Sequence, residues 1–387
     1  MVPTYLPAVR YGGPIFAVHS LCRALVSRGH HVEVVTTNIN GFGTSDVPIG
    51  MRVNIDDVQV RYFSSKVLSR LSWAPALAKA VENDVDSFDI VHLQTVFLWP
   101  TWAAARVARN ACVPYLVSPR GMLVKGLIER RNQLIKSAWI NLIERSNLER
   151  ASAIHTTSEV EADELARFNW HLPRVTTISN GVDAPDRIAE GAIVSSDVIN
   201  IANGKPLALF FGRLSWKKGL DRLLQAFART NTGNLAIVGT DDERLVFGLS
   251  KLAHMLRITD RVRILPRTIT GHDKEYLFSN AQLFVLPSYS ENFGNTVLEA
   301  MRRGVPVVLT PEVGAAEIVR KAGGGIVTDG TPVTYGEAME QLLHDSVLAR
   351  SMGKAGRRYV MERYTWDRIA ARMEELYESV KGEVRRN

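Results

Sequence analysis

Short apolar runs rich in β-branched residues alternate along the chain with longer segments whose apolar residues recur every three or four positions. The short runs predict buried strands, and the longer segments predict helices that pack on a sheet. Because the two alternate throughout, we expect parallel sheets covered by helices on both faces. The predicted strands of the first half are 32–36, 90–93, 115–118, 154–157 and 175–178. Those of the second half are 207–211, 235–238, 262–265, 283–286 and 305–310, with 325–328 as an additional candidate.

Three of the predicted helices have recognisable positions. The first ends at Arg28-Gly29, and its apolar stripe consists of Ile15, Val18, Cys22 and Leu25. Another begins after Thr157-Ser158, because the following acids suit the positive end of a helix dipole: Glu161, Asp163 and Glu164. The last covers about 366–381, with an apolar stripe of Ile369, Met373, Leu376 and Tyr377.

The alternation weakens between residues 184 and 206, which are polar and irregular. Since 387 residues suit two domains of ordinary size, we predict two doubly wound domains joined at this stretch. The predicted division is an N-terminal domain at 1–183, a linker at 184–206, a C-terminal domain at 207–365, and a terminal helix at 366–387 that packs back toward the N-terminal domain.

The start of the chain lacks a strand that this fold needs. Gly12-Gly13 precede the first helix, where a βαβ unit places its ligand-facing turn, but Met1-Val2-Pro3 is too short to form the preceding strand. The first strand of a doubly wound sheet is central, and its omission would expose two neighbouring strand edges. We therefore expect the natural protein to begin several residues upstream, or the sequence to be a truncated gene.

The composition is that of a globular protein, with 46% hydrophobic and 22% charged residues. No apolar run approaches the ~18–20 residues that span a bilayer, no secretory signal is visible, and two cysteines are too few for a disulfide framework. These features predict a cytoplasmic protein. The net charge of +7 favours anionic partners, namely nucleotides, anionic lipid or nucleic acid. We expect no nucleic-acid partner, because the basic residues are dispersed and no known module is visible.

The segment from Glu291 to Ala300 combines an anion site with two carboxylates. It follows the predicted strand 283–286, so the start of the predicted helix 295–303 lies in the usual ligand crevice of such sheets. The N–H groups and dipole of that helix attract phosphate, and Gly294 permits close backbone approach. Glu291 and Glu299 could accept hydrogen bonds from sugar and ribose hydroxyls. The alternative is one capping acid and one helix-surface acid.

A second basic motif, Gly212–Gly219, directly follows the predicted strand 207–211. Arg213 and Lys218 can clamp a diphosphate from two sides. Because charge accumulates on that diphosphate as a sugar leaves, preorganised cations would stabilise the transition state more than the ground state. The alternative is an ordinary solvated basic loop.

The adjacent acids Asp241-Asp242-Glu243 do not indicate a metal site. Acids at a helix start usually complement its dipole, and no further ligands follow at a suitable spacing. An NAD-dependent dehydrogenase is also disfavoured, because no G-x-G-x-x-G sequence follows a first strand.

Taken together, these motifs resemble those of the retaining glycosyltransferases of family 4, which have the GT-B fold of two facing Rossmann-like domains. The resemblance covers essentially the whole chain. Its elements are the E-x7-E arrangement of Glu291 and Glu299, the GRL-x-x-KKG sequence at 212–219, the NGVD turn at 180–183, the YGGP loop at 11–14, and the DIVHLQ strand end at 89–94.

The resemblance implies a donor bound mainly by the C-terminal domain and an acceptor bound mainly by the N-terminal domain. Glu299 would hold the ribose, and Arg213 with Lys218 would hold the diphosphate. Glu291 and the backbone of the helix start would hold the sugar. The implied donor-binding set is completed by Gly212, Phe293, Gly294, Asn295 and Thr296. The implied donor is a UDP- or GDP-linked sugar, with no cofactor and no metal. The leaving diphosphate itself would help to deprotonate the attacking hydroxyl, so no dedicated nucleophile is expected.

In the N-terminal domain, the resemblance places Gly12 and Gly13 toward the donor phosphate and the acceptor. His92 lies near a strand end, where a ligand contact and a buried, fully hydrogen-bonded ring are both open interpretations. Arg120 stands where the family commonly has a histidine. Its guanidinium could bind a carboxylate or hydroxyls of the donor or acceptor, or it could fold away into an ion pair.

The function implied is transfer of a sugar to a hydroxyl of a glycan or lipid-linked acceptor in surface polysaccharide or glycolipid synthesis. The basic amphipathic segment 123–148 could bind an anionic membrane at the inner face of the plasma membrane, or it could be an ordinary surface helix. Two other functions stay open: a nucleotide-sugar epimerase of similar architecture, and a truncated, non-catalytic nucleotide-binding module.

Overall fold

The computed structural model describes residues 1–9, 12–128, 139–184, 192–202 and 204–384. It divides into two compact units. Unit 1 consists of Met1–Gly181 together with Trp366–Asn387, and unit 2 consists of Val182–Thr365. Both units contain parallel sheets, and the predicted α/β class is confirmed.

The strands of unit 1 form two main sheets, ordered β1-β5-β4 and β6-β7-β8-β9, with a small β2-β3 hairpin. They are β1 (Glu33–Thr37), β2 (Ile39–Asn40), β3 (Gly43–Thr44), β4 (Arg52–Ile55), β5 (Val58–Phe63), β6 (Val91–Gln94), β7 (Tyr115–Ser118), β8 (Ala153–Thr156) and β9 (Val175–Thr177). The second sheet is parallel throughout.

Unit 2 contains one six-stranded parallel sheet ordered β12-β11-β10-β13-β14-β15. Its strands are β10 (Leu207–Phe211), β11 (Asn234–Val238), β12 (Val262–Leu265), β13 (Leu283–Leu286), β14 (Val307–Leu309) and β15 (Gly325–Val327). The central strands β10 and β13 are apolar and almost entirely buried, as expected for a sheet covered on both faces.

The helices pack on these sheets. In unit 1 they are α1 (Gly13–Ser27), α2 (Pro75–Asp84), α3 (Trp99–Asn110), α4 (Lys125–Ile128), α5 (Arg145–Glu149) and α6 (Glu159–Ala166). In unit 2 they are α7 (Ser196–Ala202), α8 (Leu220–Phe227), α9 (Val246–Met255), α10 (Gly271–Asn280), α11 (Asn295–Arg302), α12 (Ala316–Ala322), α13 (Pro332–His344) and α14 (Ser346–Arg363). The chain then returns to unit 1 with α15 (Trp366–Val384).

The first four residues lie between β1 and β6. Val2 N–H donates to Val35 O at 3.2 Å on one side, and on the other the Met1 amino group donates to His92 O at 2.8 Å. No regular strand precedes β1 among residues 1–9, as expected. The expectation that both neighbouring edges are bare is nevertheless wrong here, because this short extended segment pairs with each of them.

A hairpin that the apolar pattern did not predict joins β4 to β5. Its two turn residues, Asp56 and Asp57, have φ angles of 49° and 67°, and Asp57 N–H donates to Asn54 Oδ1 at 2.9 Å. Positive φ at both central residues is the conformation that matches the twist of a two-residue hairpin. The polar Asn-x-Asp-Asp sequence is therefore the signal that could have revealed this turn.

Part of the predicted linker is regular structure. Ser196–Ala202 forms α7, which buries Val198 and Ile201 against unit 2, while Asp273 accepts hydrogen bonds from Ser195. The prediction of an irregular stretch is wrong there, because these two apolar residues recur at helical spacing. Residues 185–191 and 203 lie outside the described residues.

Helix α15 packs against α1 within unit 1. Of its predicted apolar stripe, Ile369, Met373 and Leu376 are buried. At the edge of this contact Arg28 Nε lies 2.7 Å from Glu374, and Arg28 Nη1 lies 2.8 Å from Asp367. The apolar face and the surface ion pairs together attach the last helix to the first.

Candidate functional site

Two loops that carry the chemical motifs emerge side by side from the sheet of unit 2. They follow β10 and β13, which are neighbours in the sheet with Ala208 opposite Leu283 and Leu209 opposite Phe284. Both loops therefore leave the carboxyl edge of the sheet, where α/β folds bind their ligands.

The two loops are fastened together through their backbones. Tyr289 N–H donates to Lys217 O at 2.7 Å. Gly219 has φ 66°, and a Cβ atom at this position would lie 2.1 Å from Pro287 O. Only glycine permits this approach at this φ, so the sequence of the first loop allows it to close against the second.

Lys218 and Glu291 form an ion pair across the two loops, and about four-fifths of each side chain is buried. The structure thus brings together the cation predicted for the diphosphate and the carboxylate predicted for the sugar. Arg213 is exposed, and among the residues that the structure describes it has no ion-pair partner. Its guanidinium is therefore available to a ligand.

The backbone before α11 is held in place by the loop after β14. Gly314 N–H donates to Glu291 O at 3.0 Å, and Ala315 N–H donates to Phe293 O at 2.8 Å. Gly294 caps the helix with φ 88°, and the Phe293 side chain is buried. Asn295 and Thr296 form the first turn, at the positive end of the helix dipole. This arrangement suits an anion.

Glu299 lies in α11 with its carboxylate paired to a residue that the sequence did not single out. The Nζ atom of Lys274 is 2.6 Å from Glu299 Oε2, and each side chain is 24% exposed. Lys274 comes from α10, and no spacing pattern in the sequence links the two helices.

The acids after β11 bind protein N–H and O–H groups. Asp241 accepts hydrogen bonds from Leu245 N at 2.7 Å and Val246 N at 3.0 Å, which confirms its predicted place at a helix start. Glu243 accepts from Ser215 Oγ at 2.7 Å and Trp216 N at 2.9 Å. Glu243 therefore supports the loop of Arg213 and Lys218, a role that the sequence did not reveal. Within the described part of the chain, no three metal-type side chains cluster together.

In unit 1, Gly12 caps α1 with φ 70° and ψ −138°, a conformation that favours glycine. Chain neighbours aside, no atom of the described residues lies within 4 Å of the place where its Cβ would be, and Gly13 beside it is exposed. The contact of Gly12 and Gly13 with the donor phosphate or the acceptor stays a prediction. Tyr11 of the same motif lies outside the described residues.

His92 belongs to a chain of hydrogen bonds inside unit 1. Its Nδ1 lies 2.8 Å from Tyr377 Oη and its Nε2 lies 2.7 Å from Ser118 Oγ. Ser118 Oγ also lies 2.8 Å from Nδ1 of His155, whose Nε2 lies 2.8 Å from Ile178 O. Since a carbonyl only accepts, each group donates to the next in the order Tyr377, His92, Ser118, His155, Ile178.

Burial favours the neutral form of both histidines in this series of hydrogen bonds. It lowers the pKa of His155 to about 3, and it lowers the pKa of His92 well below the ordinary value. Of the two interpretations of His92, the hydrogen-bonded ring is therefore the one that the structure has, and this ring has no nitrogen left for a ligand.

Arg120 follows β7 with φ 55°. Its Nε donates to Gln94 Oε1 at 2.7 Å, and its Nη1 donates to Asn180 Oδ1 at 2.9 Å. Burial lowers the pKa of its guanidinium. The alternative of an ion pair is wrong within the described residues, because both partners are neutral amides. Nearby Glu161 instead accepts from Gly121 N at 2.6 Å and Thr157 N at 2.7 Å.

Residues 194–359 match the family described as glycosyl transferases group 1, and residues 12–181 match the glycosyl transferase 4-like domain. The chain belongs to the family 4 glycosyltransferases. Each match lies within one of the two structural units, and this glycosyltransferase has the GT-B fold.

Similar glycosyltransferases and structures extend over nearly the full chain. An uncharacterised glycosyltransferase of Methanocaldococcus jannaschii is 26% identical over 395 residues, which is 97% of each protein. Sucrose-phosphate synthase from Thermosynechococcus elongatus has a TM-score of 0.75 at 22% identity, covering 96% of this chain and 94% of its own. HepE of Anabaena, solved in complex with UDP and glucose, has a TM-score of 0.73 at 18% identity and covers 98% and 99%.

The membrane prediction for this glycosyltransferase concerns the basic amphipathic segment 123–148. Among the described residues, no helix is long and apolar enough to cross a bilayer. The core of the predicted basic amphipathic segment, residues 129–138, lies outside the described residues. Its proposed membrane contact therefore stays a prediction.

Proposed function

We propose that this glycosyltransferase moves a hexose from a nucleotide-diphosphate donor to an acceptor hydroxyl and retains the anomeric configuration. The observation that carries the proposal is the ion pair of Lys218 with Glu291 at the start of α11. It joins a phosphate-binding cation, a sugar-binding carboxylate and a helix N-terminus at one edge of the sheet.

The charges at this edge suit a diphosphate leaving group. Arg213 is exposed beside the paired Lys218, so two cations can meet the negative charge that develops as the glycosidic bond breaks. With this neutralisation supplied by side chains and helix N–H groups, the proposed reaction uses no metal and no cofactor.

Neither carboxylate is arranged as a free nucleophile. Glu291 is paired with Lys218, and Glu299 is paired with Lys274. The proposed mechanism therefore gives neither carboxylate the role of the nucleophile of a retaining glycosidase. In the proposed mechanism the departing diphosphate accepts the proton of the attacking hydroxyl on the same face of the sugar.

The first donor to test is UDP-glucose, because a structure of similar fold was solved with UDP and with UDP-glucose. GDP-linked sugars are the second choice. For the acceptor we propose a hydroxyl of a glycan or a lipid-linked glycan of a surface polysaccharide, with Gly12, Gly13 and Arg120 contributing to its recognition. The net charge of +7 favours electrostatic attraction of the protein to an anionic membrane surface.

A thermal-shift panel of UDP, GDP and their sugars tests the donor site. We expect one nucleotide series to raise the melting temperature of the wild type, because a ligand at about 100 times its Kd adds about 2.7 kcal/mol of stability. Glu299→Gln and Arg213→Ala should abolish most of that rise. Glu317→Gln and Arg320→Ala change an exposed pair in α12 and serve as matched controls.

Two results would contradict the proposal. Wild-type-like stabilisation in both Glu299→Gln and Arg213→Ala would remove the assigned donor site. Incubation with the donor alone gives a second check, since release of an altered sugar without any acceptor would indicate an epimerase.

A further inference from the structure

Lys274 is placed to control the carboxylate of Glu299. The two groups come from different helices, α10 and α11, and their charged atoms are 2.6 Å apart. Three quarters of each side chain is buried, so the contact is shielded from water far more than a surface ion pair.

The ammonium group of Lys274 is also held from a second side. Its Nζ atom lies 5.4 Å from the centre of the Phe211 ring, within the range of a cation–π contact. Phe211 is the last residue of β10 and directly precedes the loop of Arg213 and Lys218. Lys274 therefore links the end of that strand to the Glu299 carboxylate.

The backbone around Glu299 is fixed by the same pair of helices. Glu275, the neighbour of Lys274 in sequence, accepts a hydrogen bond from Arg303 Nε at 2.7 Å and another from Arg303 Nη2. Nη1 of Arg303 donates to Glu299 O at 2.8 Å. Both the main chain and the side chain of Glu299 are thus held by partners that depend on α10.

We propose that Lys274 is a positioning residue for the ribose of the donor. A carboxylate has two oxygens. Lys274 contacts the buried Oε2, which leaves Oε1 to accept a hydrogen bond from a ribose hydroxyl. An already ordered carboxylate loses less side-chain freedom when the nucleotide binds. This inference rests on the proposed role of Glu299 as the ribose ligand.

The test compares nucleotides that differ only in the ribose hydroxyls. Calorimetry measures the Kd of the diphosphate that stabilises the wild type most, UDP or GDP, and the Kd of its 2′,3′-dideoxy form. For Lys274→Met we expect affinity for the ribonucleotide to fall about tenfold, as for loss of a charge-assisted hydrogen bond. Affinity for the dideoxy form should not change, because that ligand has no hydroxyl for Glu299 to accept.

A double-mutant cycle and matched variants complete the test. Adding Lys274→Met to Glu299→Gln should cause no further loss, because the positioned group is already altered. Lys274→Arg, which keeps the charge, should recover part of the affinity. Lys321→Met, in an exposed surface pair, should bind like the wild type. Melting temperatures show that each variant is folded.

Several outcomes would overturn the inference. If Lys274→Met binds the ribonucleotide as tightly as the wild type or more tightly, Lys274 pairs with Glu299 only in the absence of the donor and does not position it. If both nucleotides weaken equally, Lys274 contributes charge and not position. Either outcome contradicts the role of Lys274 but not the proposed donor site, provided that Glu299→Gln still weakens nucleotide binding. A wild type that binds no nucleotide would overturn the proposed function and this inference together.

Discussion

Gly219 sets the distance between the two loops of the donor site. Its left-handed backbone brings it against Pro287 O, and that carbonyl also accepts Arg222 Nε at 2.5 Å. Because the hydrogen bond from Arg222 holds Pro287 O, the second loop cannot simply move away from a larger residue. The neighbour of Gly219 is Lys218, so a residue without a side chain determines where Lys218 meets Glu291.

Gly219→Ala should therefore disturb the site more than its size suggests. We expect a cost of about 1–2 kcal/mol from the left-handed backbone, with a further cost from the overlap with Pro287 O. Gly204→Ala is the control, since Gly204 has φ 69° but, chain neighbours aside, no described atom within 4 Å of its Cβ position. Melting temperatures and nucleotide Kd values check this. If Gly219→Ala and Gly204→Ala change the melting temperature and the Kd equally, the contact with Pro287 O does not contribute.

His155 gives unit 1 a sensitivity to acid. Its pKa is lowered to about 3, whereas in the unfolded chain it is near 6.5. Between pH 6.5 and 3 the unfolded state therefore binds a proton that the folded state does not. Stability is full above pH 6.5 and falls as the pH drops through this window, and the lowered pKa of His92 acts in the same direction.

We expect His155→Gln to flatten this dependence by up to about 1.4 kcal/mol per pH unit, the slope of one proton. Glutamine keeps an N–H donor for Ile178 O but does not titrate. The measurement is chemical denaturation between pH 4.5 and 7.5, with exposed His31→Gln as the control. An unchanged slope in His155→Gln would show that the buried histidine does not govern acid unfolding.

At the scale of elements, the sequence predicted β7, β10, β12 and β13 at their observed bounds, because each is a short, mostly apolar run bounded by turn residues. The β4-β5 hairpin was missed, since β4 alternates exposed polar and half-buried residues and contains no such run. Pairings between helices were also beyond prediction. Lys274 and Glu299 are 25 positions apart, and only packing of α10 beside α11 brings them together.

Tyr335 connects α13 to the strand that leads into the Glu291 loop. Its hydroxyl accepts from Leu286 N at 3.0 Å and donates to Val308 O at 2.6 Å, and the side chain is 1% exposed. It therefore bridges the end of β13 and the middle of β14.

Tyr335→Phe should leave a buried N–H and a buried carbonyl without partners. We expect a loss of about 1–3 kcal/mol in the free energy of unfolding of unit 2. Tyr359→Phe, on the outer helix α14, should change stability little. Denaturant titration measures both, and equal stability of the two variants would contradict the role of the Tyr335 hydroxyl.

At the scale of the whole molecule, each unit has its own apolar core. The core of unit 2 is one continuous cluster, whereas the described residues of unit 1 include three smaller ones. Helix α15 belongs to unit 1 although it follows unit 2 in sequence. The stability of the N-terminal unit therefore depends on residues near the other end of the chain.

Met373→Ala tests this dependence, because Met373 is fully buried in α15. We expect a loss of about 2–5 kcal/mol, the usual cost of such a truncation in a core. Calorimetry should show that the unfolding transition of unit 1 moves to lower temperature. The unfolding transition of unit 2, recognised because nucleotide raises its temperature, should not move. Exposed Met255→Ala in α9 is the control. A single transition shifted as a whole would contradict separate cores.

The two points where the chain passes between the units are neighbours. Val182 N–H donates to Tyr364 O at 2.8 Å, and a Cβ on Gly181 would lie 2.7 Å from the Trp366 side chain. During synthesis, which proceeds from the N-terminus, residues 182–365 are finished before α15 leaves the ribosome. The unit begun first is thus completed last, and the face of α1 that α15 covers stays open on the nascent chain throughout that interval.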